Sequence, residues 1–226
     1  MSRSSRAETV RALESLGAIA VIRLDEGPKV RPVVEALAAG EVRAIEVTLT
    51  TPGALEALVA LRTAFGDEIV LGAGSVLDAE TARLAILEGA RFVVAPTFAA
   101  SVLSMCRRYD VVAVPGAYTP TEVLTAWEAG ADLVKVFPAG GLGPGYLKDL
   151  RAPMPHLRLV PTGGITIEGA GGYIRAGAVA VGLGGALAPS DAVKRGDYGR
   201  ITEQARRLTT IIREARTKEP ERRSDR

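Results

Sequence analysis

Four times in this chain a helical stretch ends in glycine and an apolar run begins within two or three residues. The stretches are "ALAAGEVRAIEV" around Gly40, "AILEGARFVVA" around Gly89, "AWEAGADLVKV" around Gly130 and "IRAGAVAVGL" around Gly177. Glycine takes the left-handed conformation of a helix cap at least cost, so each is read as an αL cap feeding a short loop and then a strand. The remaining apolar runs complete a set of strands at 18–24, 44–49, 69–76, 92–97, 111–117, 133–139, 157–165 and 180–187, each followed by a helical pattern. Thr119 or Thr121 is placed to cap the helix after the fifth. Strands apolar on both faces that alternate with helices predict a parallel sheet, and eight of them predict a closed (β/α)8 TIM barrel. An open doubly wound sheet competes, but its dinucleotide fingerprint is incomplete: "GAGSVLDAE" has no third glycine and no acidic residue after the next strand.

The chain is therefore read as a single α/β domain. Residues 1–16 form an extra N-terminal helix, 17–216 the barrel, and 217–226, all polar, charged or proline after Thr217, a disordered tail. "YGRITEQARRLTTIIREA" (198–215) is the final amphipathic helix.

Charge excludes some functions. Lys and Arg total 28 against 26 Asp and Glu in 226 residues, and part of that excess lies in the last ten residues, which leaves no basic face for nucleic acid. The amino terminus lacks an apolar leader and no segment approaches the length needed to span a bilayer, so no membrane partner and a cytoplasmic location are expected. A single cysteine, Cys106, rules out an internal disulfide and reads as a helix packing residue; His156 is the only histidine. A zinc site would need carboxylate ligands almost alone, so neither a metal nor a cofactor is expected.

One residue breaks the apolar pattern of a strand. In "GADLVKVFPAG" Lys135 stands between Val134 and Val136, where a bare ammonium costs several kcal/mol, roughly, to desolvate. Side chains alternate along a strand, so Val134 and Val136 face the helices and Lys135 points inward above Leu133. The same argument turns Glu46 inward together with Ala44 and Thr48, against the outward Ile45, Val47 and Leu49, and turns Arg23 inward while Ile22 and Leu24 go outward. Catalytic groups of this fold sit at the carboxyl ends of the strands, so the three charges share the barrel mouth. They form a structural ion cluster, or else a reactive site in which desolvation and Arg23 favour the neutral amine of Lys135 while Glu46 moves protons. An amine with a carboxylate shuttle is suited to Schiff-base chemistry on a carbonyl compound. Strands 7 and 8 end in "PTGGI" and "GLGGA", and such glycine pairs let backbone N–H groups approach a phosphate, although a tight turn also calls for glycine.

The segments "AIEVTLTTP", "LGAGSVLDAE", "VPGAYTPTEV", "LVKVFPAGGLGPGYLKDL" and "LVPTGGIT", in this order, resemble the bacterial 2-keto-3-deoxy-6-phosphogluconate aldolases, a class I family that includes 4-hydroxy-2-oxoglutarate and 6-phosphogalactonate-type members. The resemblance runs from about residue 16 to residue 213. It implies that Lys135 forms an imine with a keto acid and that Glu46 is the acid/base. Ser75 stands at the family's carboxylate-binding hydroxyl, and Thr162 where stereochemistry is tuned. Pro96, Gly163, Gly164, Gly184 and Gly185 complete the implied substrate site. Two positions depart from the commonest pattern. Thr50 stands where many members have an arginine for the carboxylate, a role Arg23 can take, and Gly185 stands where many have a phosphate-binding serine. The resemblance also implies a homotrimer.

The implied reaction is cleavage of 2-keto-3-deoxy-6-phosphogluconate to pyruvate and glyceraldehyde 3-phosphate. The alternatives are cleavage of 4-hydroxy-2-oxoglutarate or of 2-keto-3-deoxy-6-phosphogalactonate. More distant readings are a metal-free phosphate-handling barrel isomerase, in which Lys135 is only a charge clamp, and a non-catalytic assembly protein.

Overall fold

The computed structural model describes residues 5–217, so the expected 217–226 tail lies outside it except for Thr217. Its strands are β1 (Ala18–Ile22), β2 (Ala44–Thr48), β3 (Val70–Gly74), β4 (Phe92–Val94), β5 (Val112–Val114), β6 (Gly116–Ala117), β7 (Val134–Val136), β8 (Leu159–Pro161) and β9 (Val181–Leu183). All neighbours pair in parallel, in one group ordered β5-β4-β3-β2-β1-β9 and another ordered β6-β7-β8. The two groups are parts of one ring. Segments β5 and β6 are a single barrel strand interrupted at Pro115, which has no N–H to donate to a ladder. At the other junction a parallel bridge joins Thr162 to Gly182. The eight expected strand positions therefore close into a (β/α)8 barrel, with strands shorter than the apolar runs that announced them.

The helices are α1 (Arg6–Leu16), α2 (Val30–Ala39), α3 (Ala54–Phe65), α4 (Ala79–Leu87), α5 (Ala100–Arg108), α6 (Pro120–Glu128), α7 (Gly143–Arg151), α8 (Ile167–Arg175), α9 (Ser190–Arg195) and α10 (Tyr198–Thr217). Thr119, not Thr121, caps α6, in a reciprocal capping box with Glu122. Thr217 is the last residue of α10 and not the first of a tail, its hydroxyl bonded to the Glu214 carbonyl at 3.0 Å. The neighbouring Arg216 is anchored as well, donating to the Ser15 carbonyl at 2.6 Å.

Gly89, Gly130 and Gly177 have positive φ, as helix caps require, but Gly40 does not: its φ is −94° and Glu41 carries the left-handed turn at φ 69°. Gly40 is needed for space instead. A β-carbon there would run into Ala205 and come within 2.6 Å of the Thr202 carbonyl, because α10 crosses over it.

Burial divides the core in two. Ile45, Val47, Val134, Val136 and the other outward strand residues pack under the helices. Inside the barrel, Ile19, Val70, Phe92, Val112, Leu133 and Val160 meet Val10 and Leu13 of α1. The extra helix thus plugs the amino-terminal end of the barrel. Leu13 and Phe92 are fully buried, each contributing roughly 1.5–3 kcal/mol of transfer free energy. With that end stopped by apolar packing, the inward polar residues are confined to the other end.

Candidate active site

Glu46 and Lys135 project into the barrel from β2 and β7 and are 2% and 6% exposed. Lys135 Nζ lies 4.0 Å from Glu46 Oε1, and 5.0 Å from the centroid of the Phe137 ring. Among the described residues, Glu46 Oε1 has no hydrogen-bond partner. Burial pushes the Glu46 carboxyl above its ordinary range, outweighing the opposing pull of the Lys135 and Arg23 charges. A carboxyl that holds a proton at higher pH than usual, beside a buried amine, can exchange protons with whatever lies between them.

Gly74 makes this placement possible. A β-carbon at Gly74 would collide with the Glu46 carboxylate, so the glycine in "GAGSV" leaves the volume that the carboxylate fills. Ser75 follows with φ 61°, a left-handed conformation unusual outside glycine, and its hydroxyl accepts from Arg23 Nη2 at 3.3 Å. Arg23 itself is exposed, so it guards the rim of the mouth while Glu46 and Lys135 sit deeper.

The other sequence-derived residues surround this centre. Thr162 is buried with its hydroxyl 3.3 Å from the Val160 carbonyl, and it fills the space that Gly182 leaves open. Pro96 is half-buried at the end of β4. Gly163 and Gly164 take φ of 87° and 72°, and the loop after β7 is laced to them by Gly140 N–H donating to the Gly163 carbonyl at 2.8 Å. Gly184 is half-buried and Gly185 exposed after β9. Thr50 is exposed, with its hydroxyl 3.1 Å from that of Thr48.

Three contributors escaped the sequence reading. Phe137 shares the inward face of Lys135 two residues on, a signal that alternation could have given. Gly74 owes its role to a neighbour on another strand, which no local pattern reports. Thr48 was noted as inward, but its partners across the β1 end were not.

A closed parallel barrel with a buried lysine and carboxylate at its mouth sets an amine beside a proton carrier, the arrangement that a barrel enzyme acting on a carbonyl compound would need. Similarity to known proteins narrows that class. Residues 10–204 match the model of the family described as KDPG and KHG aldolase. A 2-dehydro-3-deoxy-phosphogluconate aldolase of Treponema pallidum (strain Nichols) is 35% identical over 202 residues, covering 89% of this chain and 96% of that protein. A Legionella pneumophila KDPG aldolase, solved with pyruvate captured as a covalent carbinolamine, superposes with a TM-score of 0.81 at 28% identity, covering 88% of this chain and 97% of that one. A cube-shaped protein cage designed by fusing symmetric oligomeric domains matches with a TM-score of 0.82 at 31% identity, over 89% of this chain and 73% of that chain. The chain belongs to the KDPG and KHG aldolase family.

Proposed function

We propose that the protein is a class I aldolase that cleaves 2-keto-3-deoxy-6-phosphogluconate to pyruvate and glyceraldehyde 3-phosphate, with Lys135 as the imine-forming amine and Glu46 as the proton shuttle. The observation that carries this reading is the buried Lys135–Glu46 pair, whose carboxylate oxygen facing the amine accepts no hydrogen bond among the described residues. A buried pair kept for stability alone would be expected to satisfy its oxygens, because an unpaired buried acceptor costs about 1–3 kcal/mol.

The reaction then runs as follows. The Lys135 nitrogen adds through its lone pair to the C2 carbonyl, a proton passes from that nitrogen to the new alkoxide, and Glu46 gives a proton to the carbinolamine hydroxyl, which leaves as water. The resulting carboxylate takes the proton of the C4 hydroxyl. The C3–C4 bond breaks, its electrons move to the imine nitrogen, and C4 departs as the aldehyde. Glu46 returns its proton to C3 of the enamine, and water hydrolyses the imine to release pyruvate. Arg23 and Ser75 hold the substrate carboxylate, a pairing of guanidinium and hydroxyl that stands in for an arginine at Thr50. Pro96 and Thr162 border the reacting carbons. The backbone around Gly163, Gly164, Gly184 and Gly185 receives the phosphate.

The enzyme works as a homotrimer in the cytoplasm. Self-association is supported by the exposed apolar side chains of Leu84 and Leu87 on α4 and Leu77 just before it, 48%, 47% and 63% exposed, and by the similarity to a protein cage designed by fusing symmetric oligomeric domains. Light scattering at several concentrations checks the stoichiometry, and a monomer at all of them would contradict it.

The substrate assignment is tested by comparing kcat/KM for the phosphorylated substrate and its unphosphorylated analogue. A ratio of at least about tenfold is expected, equivalent to 1.4 kcal/mol from the phosphate contacts. A β-carbon at Gly185 would meet no neighbour within 4 Å, so Gly185→Ser should raise the ratio further by adding a hydroxyl donor. Equal rates would move the reading to 4-hydroxy-2-oxoglutarate, which has no phosphate to bind.

A further inference from the structure

The ladder between β1 and β2 ends at the pair Ile22 and Val47, so Arg23 is the first residue of a loop and is exposed. An arginine in that position ordinarily samples many rotamers on a mobile backbone. Here the peptide groups on both sides of it are held. Thr48 Oγ1 donates to the Ile22 carbonyl at 3.1 Å, and the Leu24 N–H donates to Thr51 Oγ1 at 3.2 Å. Both threonines are buried, at 0% and 2% exposure.

The hydroxyl protons can be followed through the cluster. Thr48 has one, directed at Ile22, so the hydroxyls of Thr50 at 3.1 Å and Thr51 at 3.4 Å act as donors to Thr48 Oγ1. Thr51 is left with a lone pair for Leu24. The network is directed and runs from β2 across to the backbone that brackets Arg23, whose guanidinium then reaches Ser75 at 3.3 Å.

We propose that Thr48 and Thr51 are positioning residues that fix the backbone on either side of Arg23 and so aim its guanidinium at the substrate carboxylate. The inference rests on the assignment of the carboxylate to Arg23 made above. It also explains how a loop arginine can serve where many relatives place one at the position of Thr50: the threonine cluster supplies the rigidity that the end of β1 lacks.

The test measures the pyruvate concentration giving half-maximal inactivation by borohydride, together with KM and kcat for cleavage. Thr48→Val and Thr51→Val should each raise the half-saturating pyruvate about three- to tenfold, with a smaller effect on kcat, while Thr48→Ser, which keeps the hydroxyl, should bind as the parent does. Arg23→Ala should raise it about 10- to 100-fold, and adding Thr48→Val to Arg23→Ala should cause no further loss. If Thr48→Val does not fold, Thr51→Val alone and combined with Arg23→Ala carries the comparison. Unimpaired binding by Arg23→Ala would overturn the carboxylate assignment itself. Impaired Arg23→Ala with unimpaired valine variants, or a valine penalty equally large without Arg23, would leave that assignment standing and overturn the positioning role.

Discussion

In the proposed reaction Glu46 serves as both base and acid within one turnover, and its surroundings suit that double duty. Burial raises its affinity for a proton, and Lys135 and Arg23 moderate the rise without cancelling it. The carboxylate form takes the C4 hydroxyl proton, so cleavage is expected to fail as pH drops through the raised value, above the ordinary carboxylate range of about 4.3. A pH profile of kcat should show that acid limb, and Glu46→Gln should abolish it while lowering kcat on the order of 10²–10⁴. A Glu46→Gln enzyme with full activity and an unchanged limb would assign the proton transfers elsewhere. Both residues of the pair were legible in sequence for one reason: a charge in an apolar strand is expensive, so its presence asks for an explanation. Gly74 and the threonine bonds to the β1 end were not legible, since each depends on which strand lies alongside.

At the level of elements, α1 does more than precede the barrel. Val10 and Leu13 complete the interior core with Leu133, which lies two residues below Lys135 on the same strand face. Leu13→Ala should cost about 2–5 kcal/mol, read as a lower midpoint in urea or heat, with kcat of the folded protein unchanged because the cavity forms at the end away from the mouth. A large loss of kcat without loss of stability would mean that the plug shapes the site directly. The sequence announced this helix by its periodicity, but its docking place is a tertiary fact with no local signal. Strand positions were legible from apolar runs and glycine-ended helices, whereas their ends were not. Strand β1 stops at Ile22, short of the apolar run, since side-chain hydroxyls take over the pairing there, and the fifth barrel strand breaks at Pro115 for want of an N–H. Gly40 looked like a conformational cap and proved to be a packing glycine under α10, a distinction visible only once α10 was in place.

For the molecule as a whole, the apolar plug at one end, the open mouth at the other and Lys135, the one buried lysine among the described residues, support the proposal that the chemistry passes through a covalent bond between Lys135 and the keto carbon. The described lysines other than Lys135, at positions 29, 148 and 194, lie on or beside helices outside the barrel interior. The direct measurement is mass spectrometry and peptide mapping of the protein treated with pyruvate and borohydride. One reduced pyruvyl group per chain is expected, carried by the peptide containing Lys135 and absent from Lys135→Ala. An unlabelled protein, or a label on Lys148 or any other lysine, would contradict it.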